Sequence, residues 1–268
     1  MVNVVVFINE KGGVAKTTLS VHAAAGLADM GQRVLLIDAD AQGDATIALG
    51  LEKEPCLYDL LIRDAEFSDV IRQPDPQCYL RPGTEQPGSL MLIPSNLETR
   101  GIATNMGSNL WTLRERVEEL EGLIDTVVID TSPTPDVLHG MIYKAATHII
   151  CPCQLEKFSM VGLAETLSRK RIADTERVGF NIPASQLIGI QPVLYRARNK
   201  GTGITIHDHN LKTLLDEFKR LTWPSIPQRS TFAEAAEAAM TVWAYAPKSE
   251  TAQIAWTFVE RVQNGIAA

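Results

Sequence analysis

The sequence predicts an α/β fold, a doubly wound and mostly parallel sheet flanked by helices. Three observations carry this. Short continuous runs of apolar, largely β-branched residues recur along the chain, the pattern of strands buried on both faces. Longer stretches with helical spacing separate them. Acidic residues stand at the ends of two runs, where strands of such sheets deliver side chains to a ligand crevice.

Val4-Val5-Val6-Phe7-Ile8 reads as the first buried strand. A Gly-containing loop follows, then a helix over residues 17–30 that Gly31 stops. Residues 34–37 form the second strand, which runs into Asp38 and Asp40. Strand, loop, helix and strand make a βαβ unit with a right-handed crossover. Residues 56–88 are rich in Pro, Asp and Gln with weak periodicity, and are expected to hold a short helix and an irregular excursion. Further strands are predicted at 90–93, 126–130, 148–151, 187–190 and 223–226. Helices are predicted at 110–122, 160–176, 206–221, 231–240 and 250–262. With no repeat, low-complexity tract or linker, 268 residues suit a single domain over 1–268.

Composition narrows the function. The hydrophobic fraction of 45% supports a sizeable core, and the first apolar run is too short for a signal peptide. No stretch reaches the ~18–20 apolar residues of a spanning helix. The net charge of −7 means that any nucleic-acid contact must come from a local basic patch. Cys56, Cys78, Cys151 and Cys153 lack metal-site spacing and read as buried thiols. His207-Asp208-His209 reads as a turn before a helix rather than a metal site, and Trp243, Trp256 and Phe258 read as core.

Lys11-Gly12-Gly13-Val14-Ala15-Lys16-Thr17-Thr18 lies between the first strand and the first helix. A loop there points successive backbone N–H groups at phosphates, and the helix N-terminus adds partial positive charge. Gly12 and Gly13 permit the turn and a close backbone approach. Lys16 is placed to bridge β- and γ-phosphates and Thr17 to ligate Mg²⁺. The ordinary GxxxxGK[ST] pattern is not met, because Glu10 and Ala15 stand at its glycine positions. The pattern present is KGGxxK[ST], with an extra lysine, Lys11. That lysine is too early in the loop to share the γ-phosphate with Lys16 of its own subunit, but it can reach a nucleotide held by a partner.

These residues resemble the ParA/MinD group of deviant Walker P-loop ATPases, whose loop reads KGGVGKTT or KGGVAKTT. The resemblance covers most of the chain. VLLIDADAQGDAT, residues 34–46, is similar to the family's LLxDxDPQGNAT, with Ala41 and Asp44 in place of proline and asparagine. DTVVIDTSPT, residues 125–134, is similar to the Walker B segment. PCQLEKFSMVG, residues 152–162, is similar to PxQxExxSxxG, and IPQRSTFAEA, residues 226–235, to IPRNxxLxEA. The resemblance implies roles. Lys11 crosses the dimer, and Lys16 and Thr17 serve phosphate and Mg²⁺. Asp40 orients the attacking water and stands at the metal side, Asp130 holds Mg²⁺ through a water, and Pro227, Gln228 and Arg229 line the adenine. The family's arginine falls where Gln228 stands, with Arg229 one place later.

The resemblance further implies slow, partner-stimulated hydrolysis of ATP with Mg²⁺ and a homodimer that sandwiches ATP. It implies non-specific DNA binding by that dimer, and an adaptor of the ParB-like or McdB-like kind. The cargo is a plasmid, a chromosome or a protein body such as a carboxysome, and the setting cytoplasmic and nucleoid-associated. The loop starts so early that no helix-turn-helix domain is expected ahead of it, so DNA binding should be sequence-independent. Arg169, Lys170 and Arg171 form one basic cluster, and Arg196, Arg198 and Lys200 a second. With Lys212, Lys219, Arg220 and Arg229 they are candidates for a phosphate-binding stripe.

Two other readings compete. A MinD-like membrane regulator needs a basic amphipathic end, but residues 249–268 carry only Glu250, Glu260 and Arg261 as charges, so that helix is expected to pack back on the domain without forming a stable membrane anchor. The other is a metabolic or maturation enzyme using the same loop, such as a relative of dethiobiotin synthetase or of the nitrogenase iron protein. The iron protein needs cluster-ligating cysteines near the Walker B segment, and Cys151 and Cys153 lie too far on and at the wrong spacing.

Overall fold

A computed structural model describes residues 2–107, 109–195 and 206–268. Its sheet has six strands, all parallel: β1 (Asn3–Phe7), β2 (Arg33–Ala39), β3 (Ser89–Ile93), β4 (Thr126–Thr131), β5 (His148–Gln154) and β6 (Gln186–Val193). Their order is β3-β2-β4-β1-β5-β6, which puts the first strand at the centre of a doubly wound sheet. Each expected strand up to β6 is present; β1 is shifted by one residue at the same length, and the others are longer by one to several residues.

The helices are α1 (Lys16–Asp29), α2 (Asp44–Ala48), α3 (Leu57–Ile62), α4 (Phe67–Val70), α5 (Pro76–Tyr79), α6 (Ile102–Asn105) and α7 (Thr112–Glu118). After them come α8 (Val137–Ala145), α9 (Lys157–Gly179), α10 (Ile206–Phe218), α11 (Ser230–Glu237), α12 (Val242–Tyr245) and α13 (Glu250–Ile266). The Pro-rich excursion thus carries three short helices rather than one. His207, Asp208 and His209 lie within the first turn of α10, and Asp208 accepts a bond from the Tyr195 hydroxyl at 2.8 Å.

Alternation along β1 divides the core in two. Val4, Val6 and Ile8 face one side with Ile149, Cys151 and Cys153 of β5. Val5 and Phe7 face the other, under α1 and α13. Burial pushes the Cys153 thiol up to about 12 and Cys151 higher still, so both are inert core thiols. On α13, Ala252, Ala255, Phe258, Val259 and Val262 are all buried. The helix therefore packs back on the domain, and burying Phe258 contributes roughly 2–3 kcal/mol. Gly26 makes this close packing possible, since a Cβ there would collide with Val259 at 2.5 Å. No helix among the described residues is long and apolar enough to cross a membrane.

The expected strand at 223–226 is absent. Trp223 and Ile226 donate to the Ile190 and Pro192 carbonyls of β6 at 2.9 and 2.8 Å, so the segment does run beside the sheet edge. Pro224 and Pro227 have no N–H, and only isolated bridges form. Elsewhere the helix expected at 110–122 is shorter, at Thr112–Glu118, and that expected at 160–176 is longer, at Lys157–Gly179.

Candidate functional site

The loop between β1 and α1 opens at the C-terminal edge of the sheet. Gly13 (φ +74°) and Ala15 (φ +60°) both take left-handed backbone. For Ala15 this costs roughly 1–2 kcal/mol, a strain that the usual glycine avoids. Val14 is fully buried among the residues under α1 and pins the middle of the loop. Ala15 supplies no side-chain cap and the first turn of α1 holds no acid, so the first N–H groups of the helix are left for an anion.

Contacts from distant sequence hold the loop from the sides. The Gln154 amide donates to the Gly13 carbonyl at 2.8 Å. The Glu10 N–H donates to the Thr166 hydroxyl of α9 at 3.3 Å. Lys16 Nζ donates to the Lys11 carbonyl at 3.1 Å, closing the loop on itself. Lys16 is buried, whereas Lys11 is exposed and its ammonium has no recorded partner among the described residues. Burial lowers the Lys16 pKa, and the charges of Asp130 and Asp40 oppose that shift.

The three acids have different surroundings. Asp38 and Asp130 are register partners on β2 and β4, and both are fully buried. Asp38 is hydrogen-bonded: its carboxylate accepts from the Thr46 N–H at 2.9 Å, the Thr46 hydroxyl at 2.7 Å and the Asp40 N–H at 3.2 Å. It anchors α2 to the end of β2. Burial pushes its pKa up to about 6 against those bonds. Neither oxygen of Asp130 has a hydrogen-bond partner among the described residues. Burial first, then Asp38, push its pKa up, while Thr17, Lys16 and Ser20 pull it down. Asp40 is half-buried beyond the end of β2, where its Oδ1 accepts from the Gln42 N–H at 3.0 Å.

A buried carboxylate without a donor is costly. The two orphaned oxygens beside Thr17 and Lys16 fit a divalent cation bound with a triphosphate, the hard oxygen-ligand chemistry of Mg²⁺. Thr17, Asp130 and Asp40 are the residues that would hold it, directly or through water. When bound, Mg²⁺ neutralises phosphate charge. The donors that the chain could offer to phosphates are the loop N–H groups and Lys16.

A cavity of about 410 Å³ opens from Thr17 and Thr18 between α1, α2 and α11. His22, Asp44, Phe232 and Met240 are among its lining residues. Pro227, Gln228 and Arg229 do not line it; they sit just before α11, and the Arg229 guanidinium pairs with Glu250 at 3.0 Å.

A family model described as an AAA domain matches residues 2–181. The chromosome-partitioning ATPase Soj of Thermus thermophilus is 31% identical over 256 residues, covering 95% of this chain and 92% of Soj. The chain belongs to the ParA/MinD family. Its fold is similar to that of Cyanothece McdA(D38A) in complex with ATP, with a TM-score of 0.80 and 18% identity, over 99% of this chain and 96% of McdA. It is also similar to the cobyrinic acid a,c-diamide synthase of Mycobacterium smegmatis with bound ADP and magnesium. The TM-score there is 0.75 with 26% identity, over 98% and 94% of the two chains. As a ParA/MinD protein the chain is an ATPase that uses ATP and Mg²⁺.

The basic clusters that the ParA/MinD resemblance made candidates for DNA are treated unequally. Arg196, Arg198 and Lys200 lie outside the described residues. Lys170 is held inside the fold by Asp174 at 2.5 Å and the Ser185 carbonyl at 2.7 Å. Arg169 pairs through Nε with the buried carboxylate of Glu10. Arg171, Lys212, Lys219 and Arg220 are exposed, and Arg171 lines a hollow with Glu217 and Phe218 at the foot of α10. Sequence reasoning missed Asn9, which adjoins the loop, and Gln154 and Thr166, which support it from the chain's middle. It also missed the helix α8, although Asp136 caps it by accepting from the His139 N–H.

Proposed function

We propose that this ATPase works as a nucleotide-switched homodimer that positions DNA or another large cargo. ATP joins two subunits face to face, and Lys11 of each reaches the phosphates held by the other. Asp40 orients the attacking water. The dimer then binds duplex DNA without sequence preference, through Arg171, Lys219, Arg220 and basic residues near them. An adaptor of the ParB-like or McdB-like kind stimulates hydrolysis and release, and the nucleoid is where the protein resides. Pro227, Gln228 and Arg229 flank the base.

The observation that carries this reading is the contrast between two lysines of one loop. Lys16 is buried and closes the loop, while Lys11 is exposed and its ammonium has no partner among the described residues. An exposed cation beside a phosphate site is suited to a charge that arrives with a second molecule. Phe158 and Val161, which follow the C-terminal end of β5, are also exposed, as an apolar contact between copies requires. The relatives add weight: the Thermus protein is a chromosome-partitioning ATPase, and a McdA variant holds ATP in the same fold.

The test is retention of random duplex DNA with ATP, with ADP and without nucleotide. Retention with ATP only, weakening as salt rises, is expected. Retention indifferent to nucleotide would remove the switch.

A further inference from the structure

Asn9 joins β1 to the loop and has none of the roles assigned above. It is fully buried. Its Nδ2 donates to the Pro152 carbonyl of β5 at 2.7 Å, and its Oδ1 accepts from the Lys11 N–H at 2.9 Å. The two bonds fix the carboxamide in one orientation, since only the nitrogen donates and only the oxygen accepts. β5 is a firm anchor, paired with β1 on one side and β6 on the other. α9 packs against the same group through Gly162. A methyl group at Gly162 would lie 2.8 Å from Asn9 Oδ1 and 3.3 Å from Lys11 Cβ. The main chain of Lys11 is therefore clamped between an amide tied to the central sheet and a helix that offers no side chain at the contact.

We infer that Asn9 is a positioning residue for Lys11 and sets the direction in which the Lys11 side chain leaves the loop. This rests on the cross-dimer role of Lys11 proposed above. The Lys11 side chain is exposed and its ammonium has no partner among the described residues, so its backbone is what aims it. A small error at the backbone grows along the four-carbon stem, and misplacement of a charged group by about 1 Å can cost on the order of 100-fold in function. The phosphate end of the loop has separate supports: Gln154 on Gly13, the buried Val14, and α1 itself. Asn9 thus acts first on the partner-facing lysine, and it touches the subunit's own phosphate cradle only through the bond from Lys16 Nζ to the Lys11 carbonyl at 3.1 Å.

Three variants of the full chain test this against Lys11→Ala. Asn9→Asp keeps shape and acceptor but turns an oxygen toward the Pro152 carbonyl. Asn9→Ser keeps an acceptor for the N–H two residues on but cannot reach β5. Gly162→Ala leaves Asn9 intact and pushes on the clamp from α9. Each is measured for ADP affinity, for molar mass by light scattering with Mg²⁺ and a non-hydrolysable ATP analogue, and for thermal unfolding. Asn9→Asp and Gly162→Ala should weaken nucleotide-dependent self-association about tenfold or more, toward the Lys11→Ala level, with ADP affinity within about twofold of wild type. Asn9→Ser should fall between. The inference is overturned if all three variants self-associate like wild type while Lys11→Ala does not. It is equally overturned if ADP affinity drops in step with self-association, which would make Asn9 a support of the whole loop. If wild type stays monomeric with the analogue, the dimer reading fails first, and this inference with it.

Discussion

In the loop after β1 the Lys11 side chain is exposed, and beside that loop Asp130 of β4 has no hydrogen-bond partner on either oxygen among the described residues. In the middle of α9, Lys170 is bonded to Asp174 and Ser185, and Arg169 to Glu10. Both stretches look highly charged in sequence. The loop keeps Lys11 uncommitted although its Glu10 pairs with Arg169, and α9 spends most of its charge on the fold. Availability of charge, rather than its density, separates a binding site from a structural network, because a surface or internal pair already satisfied gains little from a new partner.

Changes in the two regions should therefore register in different assays. The largest effect is expected for Lys16→Ala, which should lower nucleotide affinity about 100-fold or more by removing the main cation for the phosphates. Unchanged affinity, measured by titration with a fluorescent ATP analogue, would break the comparison at its first half. Asp40→Ala should keep nucleotide binding and lower turnover about 100-fold, with little change in thermal stability. Normal phosphate release by this variant would remove Asp40 from the chemistry.

A committed group near the same helix should show instead in stability. His22 is buried against Trp243 and Phe232, with Nδ1 2.6 Å from the Thr18 carbonyl and Nε2 accepting the Val242 N–H at 3.1 Å. Burial, only partly offset by the Thr18 carbonyl, pushes its pKa down to about 4 from 6.5. The folded chain then holds fewer protons on this ring than the unfolded chain between those values. The stabilisation is complete above pH 6.5 and is lost as pH falls toward 4, on the order of 3 kcal/mol in all. His22→Gln should flatten the dependence of denaturant midpoint on pH across that window; an unchanged slope would show that His22 is not the titrating group.

The smallest effects should divide the basic residues. Lys170→Ala should cost about 1 kcal/mol of stability and leave the salt dependence of DNA retention unaltered. Removing Arg171, Lys219 and Arg220 together should leave stability nearly unchanged and make the log–log salt slope shallower by about 2–3. The reverse pattern would mean that the exposed set is idle and the paired set binds DNA.

Much of this was legible in sequence where the signal is local. The first strand, the loop, α1 and β2 follow from adjacent residues, and so do the acids at the strand ends. The distinction between Asp38 and Asp40 was legible only through the family resemblance, since the bonds from Thr46 that set Asp38 apart are made in the fold. The commitment of Lys170 had a local sign that charge counting overlooks, an acid four residues on in a helix. Asn9 had a local sign only for its bond to the Lys11 N–H two residues on; its other partner, Pro152, is 143 residues away, and only the parallel packing of β1 on β5 joins them. The segment around Trp223 carries strand-like residues, but its prolines break the ladder that composition suggested.

The central claim is that Lys11 serves the nucleotide of a second subunit and not its own. It is tested most directly by sedimentation equilibrium of wild type and Lys11→Ala, both saturated with Mg²⁺ and a non-hydrolysable ATP analogue. Wild type should sediment as a dimer and the variant as a nucleotide-loaded monomer. A variant that dimerises as tightly as wild type would contradict the account.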